Sequence, residues 1–192
     1  MTFLPVLAGV DEAGRGPFAG PVVASAVILT ADQAQALIDK GLRDSKKMTA
    51  LRREKVYSAM MEMKVLWSAQ AASVERIDRI NILNATLWAM GRAVHRLPGA
   101  LFDGVIVDGD REIPGLKVHQ QVIPKGDDLY PQISAASVIA KVLRDRIMVT
   151  LDGVYPGYGF ASHKGYGTKF HKEAMESLGP SPIHRKSFHW KG

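Results

Sequence analysis

Two adjacent carboxylates, Asp11 and Glu12, follow the apolar run Val6-Leu7-Ala8-Gly9-Val10 and lead at once into Ala13-Gly14-Arg15-Gly16-Pro17. An acid at the end of a buried strand is costly unless it is paired or meets a cation, so this pair reads as a divalent-metal site. The glycines beside it let backbone N–H groups approach a ligand closely, and Arg15 adds positive charge, so the turn reads as a phosphate-binding loop abutting the metal. Successive side chains of a regular strand face opposite ways, and convergence of Asp11 and Glu12 therefore predicts that the strand ends or bulges there. Taken alone, the pair also fits a strand running into a solvated turn.

Two more acids occupy comparable places: Asp108 closes Gly104-Val105-Ile106-Val107, and Asp127 lies in Pro124-Lys125-Gly126-Asp127-Asp128. Four oxygen-donor acids in a chain with no cysteine specify Mg²⁺ or Mn²⁺ rather than zinc. Without a cation such acids repel one another and their pKa values rise, whereas bound cations hold them ionised. Asp110, two residues past Asp108, reads as an exposed turn acid. His95, His119, His163, His171, His184 and His189 lack the spacing of a helical zinc motif and are expected at the surface or facing a substrate. The stretch Gly14–Gly20 resembles a dinucleotide loop only superficially, because its last gap is too long and Pro17 sits inside it.

The elements that must position these groups alternate. Strands are predicted over 22–29, 65–71, 104–108 and 117–123, with helices ending near Lys40, beginning near Ala50 behind a Thr49 N-cap, and spanning 77–97. In the last of these, Ile80, Leu83, Leu87, Met90, Val94 and Leu97 recur at helical spacing before Pro98-Gly99 stops them. A further helix is predicted from Ser134, with Ile139, Leu143, Ile147 and Leu151 inward and Lys141, Arg144 and Asp145 on the solvated face. Strands alternating with helices predict an α/β sheet whose edge gathers Asp11, Glu12, Asp108 and Asp127. From Tyr155 the chain turns Gly-, Tyr- and His-rich, then forms a short helix and a basic tail. Its tyrosines suit stacking on sugars or bases, and its Lys and Arg suit tracking phosphates.

Length and composition set bounds on these readings. The 192 residues, 46% of them hydrophobic, suffice for one well-buried domain spanning 1–192, with 155–192 as a C-terminal extension. A formal net charge of +6, from 25 Lys and Arg against 19 Asp and Glu, favours a polyanionic partner. The absence of cysteine excludes disulfides and thiol nucleophiles and fits a reducing compartment. No apolar run is long enough to span a membrane and no secretory leader is evident, so a cytoplasmic protein is expected. No surplus apolar helix face is evident, which predicts a monomer.

The ordered segments Gly9-Val10-Asp11-Glu12-Ala13-Gly14-Arg15-Gly16-Pro17, Asp44-Ser45-Lys46-Lys47, Val107-Asp108-Gly109, Lys125-Gly126-Asp127, Ile133-Ser134-Ala135-Ala136-Ser137 and His163-Lys164-Gly165-Tyr166 resemble bacterial ribonuclease HII along nearly the whole chain. The resemblance implies an RNase H-like fold, a mixed five-stranded sheet flanked by helices with a C-terminal helical extension. It also implies cleavage of RNA in RNA–DNA hybrids and at ribonucleotides embedded in duplex DNA. By position, Asp11, Glu12, Asp108 and Asp127 match the metal-binding catalytic carboxylates. Gly14, Arg15 and Gly16 match the loop that senses the ribonucleotide 2′-OH, and Tyr166 matches the ring that packs on the deoxyribose at the junction. Lys46, Lys47, Ser134 and Ser137 are expected to meet the substrate. The chain departs from the family at Asp110, where Asn often follows Val-Asp-Gly. Two other readings stay open: a metal-dependent nuclease or strand-transfer enzyme acting on DNA, and a non-enzymatic nucleic-acid binder. The first conflicts with a 2′-OH-sensing loop, and the second leaves the acids unexplained.

Overall fold

The computed structural model describes residues 5–189; the first four and last three residues, counted above within the single domain and its basic tail, lie outside the described residues. Five strands, β1 (Leu7–Ala13), β2 (Val22–Ile28), β3 (Leu66–Ala72), β4 (Gly104–Asp108) and β5 (His119–Ile123), form one sheet in the order β3-β2-β1-β4-β5. The pairs β1–β2 and β2–β3 are antiparallel, while β1–β4 and β4–β5 are parallel. Helices α1 (Ala31–Asp39), α2 (Ala50–Glu62), α3 (Val74–Ile80), α4 (Ile82–His95), α5 (Pro131–Val154), α6 (Phe160–His163) and α7 (Lys169–Leu178) surround it. The mixed α/β architecture matches the expectation.

Strand alternation sorts the two cores. Ala8, Val10, Val22, Ala24, Val105 and Val107 pack with α4, whereas Val27 and Leu29 pack with Val138, Ile139 and Val142 of α5. Residues 7, 9 and 11 of β1 therefore face α5. A Cβ at Gly9 would overlap the Gln132 backbone, so only glycine lets the start of α5 lie directly on β1. That close crossing carries α5 up to Asp11. On the same face, Ser25 Oγ donates to Ala136 O at 2.7 Å.

Four local expectations are corrected. The helix predicted over 77–97 is two helices, because Asn81 adopts φ 64°, ends α3, and caps α4 by accepting from Asn84 N at 3.0 Å. Apolar periodicity carried across the break because both helices cover the same face. The next long helix starts at Pro131 rather than Ser134, with proline in the first turn, where its missing N–H costs nothing. β1 does not end at the acids but stays paired to β2 through Ala13↔Val23. Arg144 lies not on the solvated face of α5 but wholly buried.

Residues past α5 pack on a third cluster, in which Tyr158, Phe160 and Ala174 meet Ala19 and Met148. Asp78 of α3 fastens the end of this segment by accepting from Lys186 N at 3.1 Å and Ser187 N at 2.9 Å.

Candidate active site

Asp108 closes β4, and Asp11 lies beside it within β1, each one step beyond the Val10↔Val107 pair of these parallel neighbours. Asp127 comes from the short 3₁₀ turn 126–128 that leads into α5. Carboxylate oxygens of these three residues lie within 4.8 Å of one another. Asp108 Oδ1 accepts from Gly126 N at 2.8 Å, which ties the turn carrying Asp127 to the end of β4. Asp11 Oδ1 accepts from Glu12 N, while the buried Asp11 Oδ2 has no hydrogen-bond partner. An unpartnered carboxylate oxygen buried among two other acids is an expensive arrangement that a hard cation resolves. The donor set therefore fits Mg²⁺ or Mn²⁺.

Glu12 is set apart. Because β1 remains regular, Glu12 falls on the α4 face, half-buried, and pairs with Arg15 at 3.7 Å. It shares a small cleft with Asp108 and Asp110 at the sheet edge rather than joining the three-acid group. Asp110 is exposed, as expected of a turn acid.

The electrostatics record the crowding. Burial, then the charges of Glu12 and Asp108, raise the Asp11 carboxyl well above its usual range. Burial also raises Glu12, with Asp108 adding to it against the opposing charge of Arg15. Burial raises Asp127 in the same way, with Lys46 opposing and Asp108 reinforcing. Lys46 Nζ stands 3.5 Å from Asp127 Oδ2; burial disfavours its charge, but the surrounding aspartates outweigh that and raise its pKa.

The remaining predicted residues divide into two sets. Lys46 and Lys47 are exposed at the site's rim, with Lys47 Nζ 2.6 Å from Asp128. Arg15, Gly16 and Tyr166 are exposed together, and a Cβ placed on Gly16 would lie 3.9 Å from the Tyr166 ring. Gly14, by contrast, is buried at φ 102°. Ser134 and Ser137 are buried, and their hydroxyls are spent on the protein. Ser134 Oγ donates to Asp127 O at 2.6 Å, and Ser137 Oγ meets Ser45 Oγ at 2.8 Å. Through these bonds they brace the segments that carry Asp44 and Asp127.

A cavity of about 720 Å³ lies away from the carboxylates between α2, α5 and α6. Arg53, Lys141, Arg146 and Lys164 line it, and Tyr166 stands where it approaches the glycine loop. Three features of the site had no signal in the sequence. Arg144 and Arg185 are buried against the glycine loop, although both were expected in solvated basic segments. His171 and His184 are buried with their Nε2 atoms 3.0 Å apart, not at the surface. Asp44 approaches Asp127 and Asp128 closely enough to form a second group of acids.

A sheet of this order, with aspartates on adjacent parallel strands near their C-terminal ends and helices on both faces, defines a nuclease-type RNase H-like fold. The ribonuclease H2 of Pyrococcus horikoshii OT3 superposes with TM-score 0.78 at 28% identity, covering 96% of this chain and 94% of that one. The RNase HII of Archaeoglobus fulgidus, solved in complex with PCNA, superposes with TM-score 0.81 at 24% identity over 97% and 96%, a likeness of fold. Residues 8–191 match the family model described as Ribonuclease HII. A ribonuclease HII of Coxiella burnetii (strain Dugway 5J108-111) is 49% identical over 183 residues, 95% of this chain and 88% of its relative. The chain belongs to the ribonuclease HII family and is a type 2 ribonuclease H.

Proposed function

We propose that the enzyme hydrolyses RNA in RNA–DNA hybrids and incises duplex DNA at embedded ribonucleotides, leaving 5′-phosphate and 3′-hydroxyl ends. The observation that carries this reading is the buried, unpartnered Asp11 Oδ2 within reach of Asp108 and Asp127. Those three carboxylates would hold Mg²⁺ or Mn²⁺, with Glu12 contributing from the α4 side of the sheet edge. A pair of such cations, when bound, supplies activation of the attacking water and stabilisation of the leaving 3′-oxygen.

The protein's own groups do the rest. Lys46, exposed and already drawn toward Asp127, is placed to neutralise a phosphate brought to the acids. Gly14, Arg15 and Gly16 present backbone to the ribonucleotide, and its 2′-OH is the group that separates RNA from DNA. Tyr166 stands opposite Gly16 and packs on the adjoining deoxyribose. The groove lined by Arg53, Lys141, Arg146 and Lys164 runs alongside and takes the duplex backbone, with residues 155–192 acting as the substrate-binding extension of a single domain. No helix among the described residues is long and apolar enough to cross a membrane. A monomeric cytoplasmic enzyme fits this reading.

The test is a labelled DNA duplex carrying one ribonucleotide, compared with an all-DNA duplex and a long RNA–DNA hybrid, each with and without Mg²⁺ or Mn²⁺. Cation-dependent incision on the 5′ side of the ribonucleotide, with the all-DNA duplex intact, is expected. Cleavage of the all-DNA duplex, or incision in chelator, overturns the proposal.

A further inference from the structure

Arg185 lies wholly outside the acid cluster, yet it is among the most deeply buried side chains of the protein. Its Nη2 donates to Gly14 O at 2.6 Å and to Gly20 O at 2.9 Å, its Nη1 to Arg15 O at 2.9 Å, and its Nε to Gly20 O at 3.0 Å. Arg144 grips the same loop from α5, donating to Ala19 O, Pro21 O and Lys164 O. Among the described residues, neither guanidinium forms an ion pair. Burial depresses both, Arg185 to about 9 with the Arg144 charge adding to the effect. A buried cation without a counter-ion is a costly way to fill space, since an apolar side chain packs there more cheaply.

What the cation does is orient peptide planes. A trans peptide holds its C=O and the following N–H on opposite sides. Carbonyls of Gly14 and Arg15 turned inward to Arg185 therefore leave the N–H groups of Arg15 and Gly16 turned away from it, in the exposed stretch that carries the Arg15 side chain and has Tyr166 nearby. Two successive N–H groups so turned form a donor nest suited to a phosphate or hydroxyl oxygen.

We infer that Arg185 is a positioning residue for substrate selection: its guanidinium fixes the Gly14–Gly16 peptides so that their N–H groups meet the ribonucleotide. The inference rests on the reading of this loop as the ribonucleotide sensor. Arg185→Lys keeps the charge but cannot span three carbonyls with one planar fork.

Duplex affinity is measured in an Asp11→Asn background, so that nothing is cut, for a single-ribonucleotide duplex against an all-DNA duplex. Arg185→Lys is expected to lower the ratio of the two affinities about tenfold, the loss of one well-formed hydrogen bond, without weakening all-DNA binding. Millimolar guanidinium is expected to restore the ratio in Arg185→Ala, where equal ammonium does not. Should Arg185→Ala fail to fold, the amide ¹⁵N–¹H resonances of Arg15 and Gly16 in Arg185→Lys provide the second readout, and their staying unshifted overturns the inference. A Gly16→Ala arm separates the two levels. If Gly16→Ala keeps the unaltered protein's ratio, the sensor reading fails. If Gly16→Ala loses that ratio while folded Arg185→Lys keeps it, the role of Arg185 alone fails.

Discussion

Alanine substitutions at Gly14 and Gly16, two residues apart in one loop, are expected to fail in opposite ways. A Cβ on Gly14 would overlap Nε and Cδ of Arg144 and come within 2.9 Å of Pro21 O, at a φ of 102° that L-residues rarely adopt. Arg144 cannot swing aside, because it is pinned to Pro21 O at 3.0 Å, Ala19 O at 3.2 Å and Lys164 O at 3.0 Å. Backbone strain costs about 1–3 kcal/mol and overpacking costs about as much again. Gly14→Ala should therefore lose roughly 2–6 kcal/mol of stability, enough to unfold many domains of this size. Gly16 has no positive φ and meets nothing closer than Tyr166 Cε1 at 3.9 Å, an ordinary contact. There alanine should leave stability unchanged or raise it by about 0.4–1 kcal/mol through the unfolded state. Its Cβ would occupy part of the gap between loop and ring, where the proposed substrate enters. Urea unfolding midpoints paired with kcat/KM on a single-ribonucleotide duplex provide the assay. Gly16→Ala is expected to be stable and to fall by about 100-fold in kcat/KM, the scale of a 1 Å misplacement. A stable Gly16→Ala enzyme with unaltered turnover, or a Gly14→Ala enzyme as stable as the parent, refutes the reasoning.

Other expectations follow from the same geometry. Asp11→Asn should abolish cleavage yet retain duplex binding in a gel-shift assay, since it removes a carboxylate at the acid cluster and none of the exposed loop or groove. The raised carboxyls of Asp11, Glu12 and Asp127 bind protons more tightly folded than unfolded, so the cation-free protein should lose stability as pH rises from about 4 toward neutrality. Thermal melts should accordingly show stabilisation by Mn²⁺ that grows over the same pH range and is much reduced in Asp11→Asn. His171 behaves with the opposite sign: burial lowers it from 6.5 to about 4, so its contribution is intact above 6.5 and is lost as pH falls toward 4. Replacing it with Asn, which keeps a donor for Tyr166 O, should flatten the acid limb of the stability profile measured in cation-saturated protein.

Much of the architecture was legible because it depends on short-range pattern. The apolar runs before Asp11 and Asp108 are strands, and the two acids meet because those strands are parallel neighbours. Thr49 caps α2 as its side chain suggests, accepting from Arg52 N at 3.3 Å. Elsewhere local pattern was overridden. Strand pairing through Ala13↔Val23 kept Asp11 and Glu12 on opposite faces, where two glycines had suggested a break. Asn81 hid inside an unbroken apolar periodicity because a left-handed residue leaves no trace in that period. Arg144, Arg185, His171 and His184 looked like surface residues because side-chain type carries the signal of charge, not of partner. The two histidines partner each other, and the arginines and His171 meet carbonyl oxygens such as Gly14 O, Ala19 O and Tyr166 O, which every sequence has. The hydroxyls of Ser134 and Ser137 have partners within the protein, Asp127 O and Ser45 Oγ, which their spacing in the sequence does not reveal.

Anomalous scattering from crystals soaked in Mn²⁺ tests most directly whether the carboxylates of β1, β4 and the turn before α5 hold the reaction's cation. A peak bounded by Asp11, Asp108 and Asp127 is expected, vanishing in Asp11→Asn; a peak confined to Asp44, Asp127 and Asp128, or none in crystals that retain ordered carboxylates, would contradict it.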